Sequence, residues 1–106
     1  MVQAIYPNVE KVVHAFVEKL KEHIHVEKVI LFGSYARGTP RPWSDIDLAV
    51  ISPDFHGGTI EDHILLGRIA RTITPQIEAL PYLPEDFRDA EPSSFEATIL
   101  KDGKVF

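Results

Sequence analysis

The sequence of 106 residues contains no cysteine. Disulfide bonds and thiolate metal sites are therefore excluded. No apolar run approaches the length of a membrane span, and the amino-terminal stretch MVQAIYPNVE has no basic region leading into an apolar one. These absences predict a cytoplasmic protein that does not enter a membrane. The length suits a single domain over residues 1–106 with one modest core.

Basic residues are outnumbered, with 11 Lys and Arg against 16 Asp and Glu and a formal net charge of −5. Non-specific binding along a nucleic acid needs a basic face, so we expect no extended nucleic-acid binding. A local basic group around Arg37 and Arg41 could still bind the phosphates of a small ligand. The composition, 44% hydrophobic and 25% charged, is ordinary for a globular protein.

One segment concentrates the polar residues that have a chemical reason to lie close together. It spans residues 29–51, VILFGSYARGTPRPWSDIDLAVI. A short apolar run, predicted as a strand from Val29 to Phe32, stops at Gly33. Gly33 and Ser34 then open a short helical turn. Unpaired backbone amides, a hydroxyl and a glycine that lets a ligand approach closely are suited to holding a phosphate group.

The second half of this segment, from Ser44 to Val50, is predicted as another strand. Because successive strand side chains point to opposite faces, Asp45 and Asp47 share one face and apolar residues share the other. Two close carboxylates repel each other, and hard oxygen ligands suit Mg²⁺, which often bridges carboxylates and substrate phosphates. The combination indicates nucleoside triphosphate chemistry.

The flanking segments predict helices around a small sheet. An amphipathic helix should run from Asn8 to about His23, and a second should start at a Thr59 cap and end near Ile73. In the second helix Gly67 should approach the sheet, and the inward residues should be Ile60, Ile64, Leu65, Ile69 and Ile73.

A third strand is predicted over residues 75–80. The carboxyl-terminal part should hold a helix capped by Ser93 or Ser94, with Phe95, Ile99 and Leu100 facing the core, and then a short extended piece. His23 and His25 alternate with apolar residues, but two imidazoles without further ligands favour surface histidines over a metal site. The fold class is α/β (α+β), a small mixed β-sheet with helices packed on it.

The motif Gly33-Ser34, Ala36-Arg37-Gly38, Ser44-Asp45-Ile46-Asp47-Leu48 resembles the signature of the DNA polymerase β-type nucleotidyltransferases, and the chain's size resembles their minimal branch. The resemblance implies a palm-like core, ATP as substrate and two Mg²⁺ ions. It also implies a third carboxylate on a neighbouring strand, which Glu78 matches. Aspartate is more usual there, and the competing acids Glu85 and Asp86 are better placed to begin a short helix.

The same resemblance implies the role of each residue. Gly33 and Ser34 would hold the outer phosphates, and Arg37 could reach a phosphate. Asp45 and Asp47 would bind one ion and, with Glu78, the second. Two further implied roles are base catalysis by Glu78 or Asp47 and nucleotide binding by Ser44, which also caps or orients the Asp45 strand. Aromatic faces stack on nucleobases, so Tyr35 and Trp43 are candidates for that contact.

The minimal branch is similar to the antitoxins of two-gene modules, which pair with a small helical HEPN-type protein. Transfer of AMP from ATP to a hydroxyl of that partner is therefore expected. Two alternatives stay open. The chain could neutralise a partner by binding alone, or it could modify a small molecule, with a homodimer supplying the second lobe of the acceptor site.

Overall fold

The computed structural model describes residues 8–106, which form one four-stranded sheet in the order β3-β2-β1-β4. Strand β1 is antiparallel to β2 and β4, and β2 is parallel to β3. The predicted mixed sheet with packed helices is thus confirmed. The elements are α1 (Val9–Lys21), β1 (Lys28–Phe32), α2 (Ser34–Arg37), β2 (Ile46–Ile51), α3 (Ile60–Arg71), β3 (Ile77–Tyr82), α4 (Pro84–Arg88), α5 (Phe95–Asp102) and β4 (Lys104–Val105).

The main core lies between one face of the sheet and helices α1 and α3. The apolar stripe of α1 is buried, as its helical spacing predicts. Leu48 and Val50 of β2 meet it from the sheet, and Leu66 and Ile69 meet it from α3. The α1 residues in this cluster are Val13, Phe16, Val17 and Leu20. Full burial of an aliphatic or aromatic side chain contributes roughly 1.5–3 kcal/mol, so this layer holds the sheet in place.

A second, smaller apolar cluster covers the opposite face of the sheet. Ala49 and Ile51 of β2 contact Ile30 of β1 and Ile99 of α5 there. Side chains of a strand alternate between faces, so Asp47 points to the same side as Ala49 and Ile51. The carboxylate face is therefore apolar along most of its length, and Asp47 lies at its open end.

The orientation of α3 agrees only in part with the one that its sequence predicts. Ile69 is buried, and Leu65 and Ile73 pack against the core, as expected. Ile60 and Ile64, also expected to face inward, are 78% and 52% exposed.

Two other residues of α3 differ from expectation. Gly67, expected to approach the sheet, has room for a Cβ with nothing within 4 Å. Asp62 lies on the buried face, together with Leu66. Apolar spacing alone could not separate these two faces because leucine and isoleucine occur on both.

Asp62 explains why this face turns inward. Its Oδ2 accepts hydrogen bonds from the backbone N–H groups of His56 (2.8 Å), Gly58 (3.0 Å) and Thr59 (3.2 Å). Asp62 N–H donates to the Thr59 hydroxyl, which completes the predicted capping box. Burial on its own raises the pKa of Asp62, but these hydrogen bonds outweigh it and hold the pKa below its usual range.

Two strand boundaries also differ from prediction. Strand β3 spans Ile77–Tyr82, later than residues 75–80, because Thr74 starts a turn in which its hydroxyl accepts a hydrogen bond from Gln76 N–H (3.3 Å). Pro81 fits inside β3 because an edge strand tolerates a missing N–H. Strand β2 begins at Ile46, so Ser44 and Asp45 precede it.

The carboxyl-terminal elements close the sheet. Ser94 caps α5 by accepting a hydrogen bond from Ala97 N–H (3.1 Å), and β4 pairs with β1 as the fourth strand. Of the residues expected to face the core, Ile99 is buried, but Phe95 and Leu100 are about half exposed. Between residues 8 and 106, no helix is long and apolar enough to span a bilayer.

Candidate functional site

The candidate site lies at the edge of the sheet where β1 ends and β2 and β3 begin. Because β1 is antiparallel to β2, its last residue, Phe32, pairs with Asp47 near the start of β2. Because β2 is parallel to β3, Asp47 also pairs with Glu78. Side chains in register on adjacent strands share a face. The topology therefore sets Phe32, Asp47 and Glu78 side by side.

Gly33 follows β1 directly and touches the Asp47 carboxylate. Its φ of +76° lies in the region that disfavours side chains, and a Cβ there would collide with Asp47 Oδ2. The backbone at Gly33 can approach the carboxylate this closely only because glycine lacks a side chain. Helix α2 begins at the next residue, Ser34, and ends at Arg37, and Gly38 after it adopts the left-handed conformation.

A cleft of about 400 Å³ opens in front of these residues. One part of its wall is polar and comes from the sheet edge and α2. The other part is largely apolar and comes from β1, β3 and α5. The lining residues are Phe32, Gly33, Arg37, Asp47, Glu78, Leu80, Phe95, Thr98, Ile99 and Asp102. A cleft that joins charged groups to an apolar wall suits a ligand with a phosphate end and a ring.

Asp47 is the electrostatic centre of the site. Its pKa is raised from 3.8 to about 6, first by burial and then by repulsion from the carboxylates of Asp45 and Glu78. Arg37 opposes this effect through its positive charge. The four charges therefore interact, and a cation bound among the three carboxylates would relieve the repulsion.

The residues predicted from the sequence do not all line the cleft. Gly33, Arg37, Asp47 and Glu78 do so, whereas Ser34, Ser44 and Asp45 are not part of its wall. Asp45 is exposed in the segment before β2, from which it acts on Asp47 through its charge. The roles assigned to these residues stay predictions.

Ser44 and Gln76 tie the start of β2 to the start of β3. The Ser44 hydroxyl accepts a hydrogen bond from Arg41 N–H (2.9 Å), and its carbonyl accepts one from Gln76 Nε2 (3.2 Å). The Gln76 carbonyl accepts a hydrogen bond from Ile46 N–H (2.8 Å). Gln76 is buried. Its role in connecting the two strands is not predictable from the sequence, since a single glutamine after a proline carries no recognisable signal.

The donor set fits a hard cation, because carboxylate oxygens are the preferred ligands of Mg²⁺. Asp47, with the Asp45 and Glu78 carboxylates near enough to raise its pKa, would supply them. Among residues 8–106, however, no three His, Cys, Asp or Glu side chains are already close enough to hold an ion together.

The two aromatic candidates for base stacking lie in different surroundings. Tyr35 is only 8% exposed and belongs to the main core, so it does not offer a face to a nucleobase. Trp43 is 68% exposed, with the Arg41 guanidinium 5.7 Å from its ring centre, but it does not line the cleft. The expectation for Tyr35 is wrong, because the turn after β1 directs its ring inward.

Sequence reasoning missed the wall contributed by α5. The Phe95 ring packs edge-on against Phe32, with the ring centroids 5.6 Å apart, and Thr98 and Asp102 extend the wall along the helix. Helical spacing predicts Phe95 in the core, whereas its ring is half exposed and lines the cleft. Because Phe32 pairs with Asp47, the contact between Phe95 and Phe32 places this helix at the border of the site.

The mixed sheet and α2 bring four of the seven predicted site residues, Gly33, Arg37, Asp47 and Glu78, to one cleft. The chain belongs to the nucleotidyltransferase domain family, whose model matches residues 9–102. The resemblance drawn from the motif is thus confirmed, and the protein is a nucleotidyltransferase.

A relative from an archaeon matches nearly the whole chain. It is a Methanocaldococcus jannaschii protein provisionally named a protein adenylyltransferase, 32% identical over 102 residues that cover 92% of this chain and 97% of the relative.

Solved structures share the fold. A Sulfolobus solfataricus protein provisionally described as a nucleotidyltransferase matches with a TM-score of 0.64 and 22% identity, over 91% of this chain and 77% of its own. A toxin-antitoxin structure with AMP-PNP also matches with a TM-score of 0.64, at 23% identity, over 91% of this chain and 70% of its own. At such identities the likeness concerns the fold.

Proposed function

We propose that this nucleotidyltransferase transfers AMP from ATP to a hydroxyl of a partner protein and thereby acts as the antitoxin of a small helical HEPN-type toxin. The observation that carries the proposal is the position of Asp47. It lies in register with Glu78, against the Gly33 backbone, in a cleft that Arg37 also lines.

The charges of the site support a role for a metal ion. Asp45, Asp47 and Glu78 would hold Mg²⁺, and their mutual repulsion is the physical reason that a cation is favoured there. When bound, the metal would neutralise charge on the phosphates and lower the pKa of the attacking hydroxyl. Arg37 is the cation of the chain best placed to contact a phosphate, since it lines the same cleft.

AMP transfer forms one bond at the α-phosphorus of ATP and breaks another. The hydroxyl oxygen of the acceptor forms a bond to the α-phosphorus of ATP, and the bond from that phosphorus to the β-bridging oxygen breaks. Pyrophosphate leaves with the bridging oxygen, and the hydroxyl proton passes to Glu78 or Asp47.

The choice of a protein as acceptor rests on the relatives and on the shape of the chain. The similar M. jannaschii protein is named for protein adenylylation, and a toxin-antitoxin structure with AMP-PNP has the same fold. Residues 8–106 form one sheet with its helices and contain no separate lobe for a small acceptor. A partner protein that brings its own hydroxyl to the cleft needs no such lobe.

Transfer of α-labelled AMP tests the proposal. The chain, its candidate helical partner, Mg²⁺ and labelled ATP are combined, and the partner is examined for label. We expect labelling by the wild type and strongly reduced labelling by Asp47→Asn and Glu78→Gln. Glu85→Gln, a matched change of an exposed carboxylate on α4 outside the cleft, should leave labelling unchanged.

Two other outcomes identify the alternatives. A stable complex without label from ATP, GTP, CTP or UTP would mean that the chain neutralises its partner by binding. Label on a small hydroxylated molecule such as an aminoglycoside, with none on protein, would identify a small-molecule transferase.

A further inference from the structure

Helix α3 has an outer face that the fold leaves uncovered. A shallow groove of about 400 Å³ runs along it, and its lining follows one stripe of the helix surface. The groove is lined by Ile60, His63, Ile64, Gly67, Arg68 and Arg71. The helix packs its opposite side on the main core, and the nucleotidyltransferase cleft lies across the sheet, beside α5. The groove is therefore separate from the catalytic site.

Two features of this stripe are unusual for a surface that stays uncovered. Ile60 and Ile64 are large aliphatic residues, yet they are 78% and 52% exposed. Gly67 lies in the helix interior, where glycine costs roughly 1 kcal/mol relative to alanine, although a Cβ would meet nothing within 4 Å. Large aliphatic residues next to a glycine on one helix face allow a second helix to pack closely.

We propose that this groove receives the same helix of a second copy of the chain, in an antiparallel pair with a two-fold axis between Ile64 and Gly67. Ile64 of each copy then lies over Gly67 of the other. Ile60 covers the aliphatic stem of the second copy's Arg71. An interface of this kind is self-complementary, as two-fold symmetry requires.

The charges on α3 favour the antiparallel arrangement. Glu61 is exposed in the first turn, and Arg68 and Arg71 are exposed near the last turn. In an antiparallel pair Glu61 of one copy comes near the two arginines of the other, whereas a parallel pair would bring like charges together. The helix dipoles also oppose each other in the antiparallel pair. A single helix pair is smaller than a standard interface, so the dimer should depend on protein concentration.

Sedimentation equilibrium over the micromolar to submillimolar range tests the assignment. We expect a monomer-dimer equilibrium for the wild type and at least about tenfold weaker association for Ile64→Glu, since a charge would be buried against an apolar surface. Gly67→Leu should weaken association similarly, because its side chain would occupy the place proposed for Ile64 of the second copy. The monomer has open space at this position, so its fold should tolerate the change. Leu100→Glu, at an exposed leucine of α5, is the matched control and should change nothing.

A charge exchange separates this interface from others. Glu61→Arg should weaken the dimer, and adding Arg68→Glu and Arg71→Glu to the same chain should restore it. A chain that stays monomeric throughout the range, or a dimer indifferent to Ile64→Glu and Gly67→Leu, would overturn the proposal. The chain could instead be monomeric and bind a helical partner protein that Ile64→Glu no longer binds. That result would assign the groove to the partner protein and would also refute the proposed dimer. None of these outcomes depends on AMP transfer.

Discussion

Replacing Asp47 by asparagine should stabilise the metal-free protein while abolishing AMP transfer. The difference between a pKa of 3.8 and one of about 6 corresponds to about 3 kcal/mol. Because the carboxylate is only half-buried and water screens its charge, we reduce this value to about 1–2 kcal/mol. The variant should therefore unfold about 4–8 °C higher than the wild type without Mg²⁺ at neutral pH.

The sign of the effect follows from the direction of the pKa shift. Folding raises the pKa of Asp47, so the folded state favours the protonated, neutral carboxyl. The wild type bears no penalty below pH 3.8, loses stability as the pH rises to about 6, and bears a constant penalty above that value. Asparagine has no charge, so its advantage should vanish in acid and be complete at neutral pH.

Chemical denaturation of both proteins across this pH range measures the difference. Glu85→Gln, at an exposed carboxylate outside the cleft, is the control and should track the wild type. Adding Mg²⁺ should stabilise the wild type more than Asp47→Asn, since ligand binding to the folded state adds to its stability. A pH-independent difference, or a variant less stable than the wild type at neutral pH, would refute this account of the site.

Three further predictions concern the scaffold of the site. Gly33→Ala should abolish the proposed AMP transfer and lower stability, because φ at this position is positive and the added Cβ would meet the Asp47 carboxylate. Gly38→Ala, also at positive φ but in open space, should cost only about 1–2 kcal/mol and retain transfer. Activity in both variants would contradict this. Asp62→Ala should cost about 2–4 kcal/mol in urea denaturation, since three backbone N–H groups lose their acceptor, and a loss below 1 kcal/mol would be inconsistent with that anchor. As its pKa is lowered on folding, the contribution of Asp62 should be complete above its usual pKa and disappear as the pH falls. Gln76→Ala should slow AMP transfer while keeping most of the stability, because the starts of β2 and β3 lose a connection; unchanged turnover would exclude a positioning role.

The family and the carboxylates were readable from the sequence because the signals are local. Glycine, serine and alternating aspartates occur within residues 33–47. Strand alternation from Ser44 predicts one face for Asp45 and Asp47, but β2 begins at Ile46, so alternation holds for Asp47 and Asp45 lies in the preceding segment. The sequence also determined the buried stripe of α1 and the Thr59 capping box, since helical spacing and capping depend on residues a few positions apart.

The tertiary structure decided everything that depends on distant segments. Glu78 was a candidate from the sequence, but its pairing with Asp47 depends on the register of a parallel pair joined through α3. The cleft wall formed by α5, the burial of Tyr35 and the Gln76 hydrogen bonds likewise arise from contacts between segments far apart in the chain.

Helix α3 shows the physical reason most clearly. Both of its faces carry large apolar residues, so its spacing predicts a helix without assigning Ile60 and Ile64 to the correct side. The choice was made by the buried Asp62 carboxylate, which needs the amides of the preceding loop, and by the shape of the sheet beneath Leu66 and Ile69. Periodicity along the chain determined that a helix forms, and packing in three dimensions determined which surface stays free.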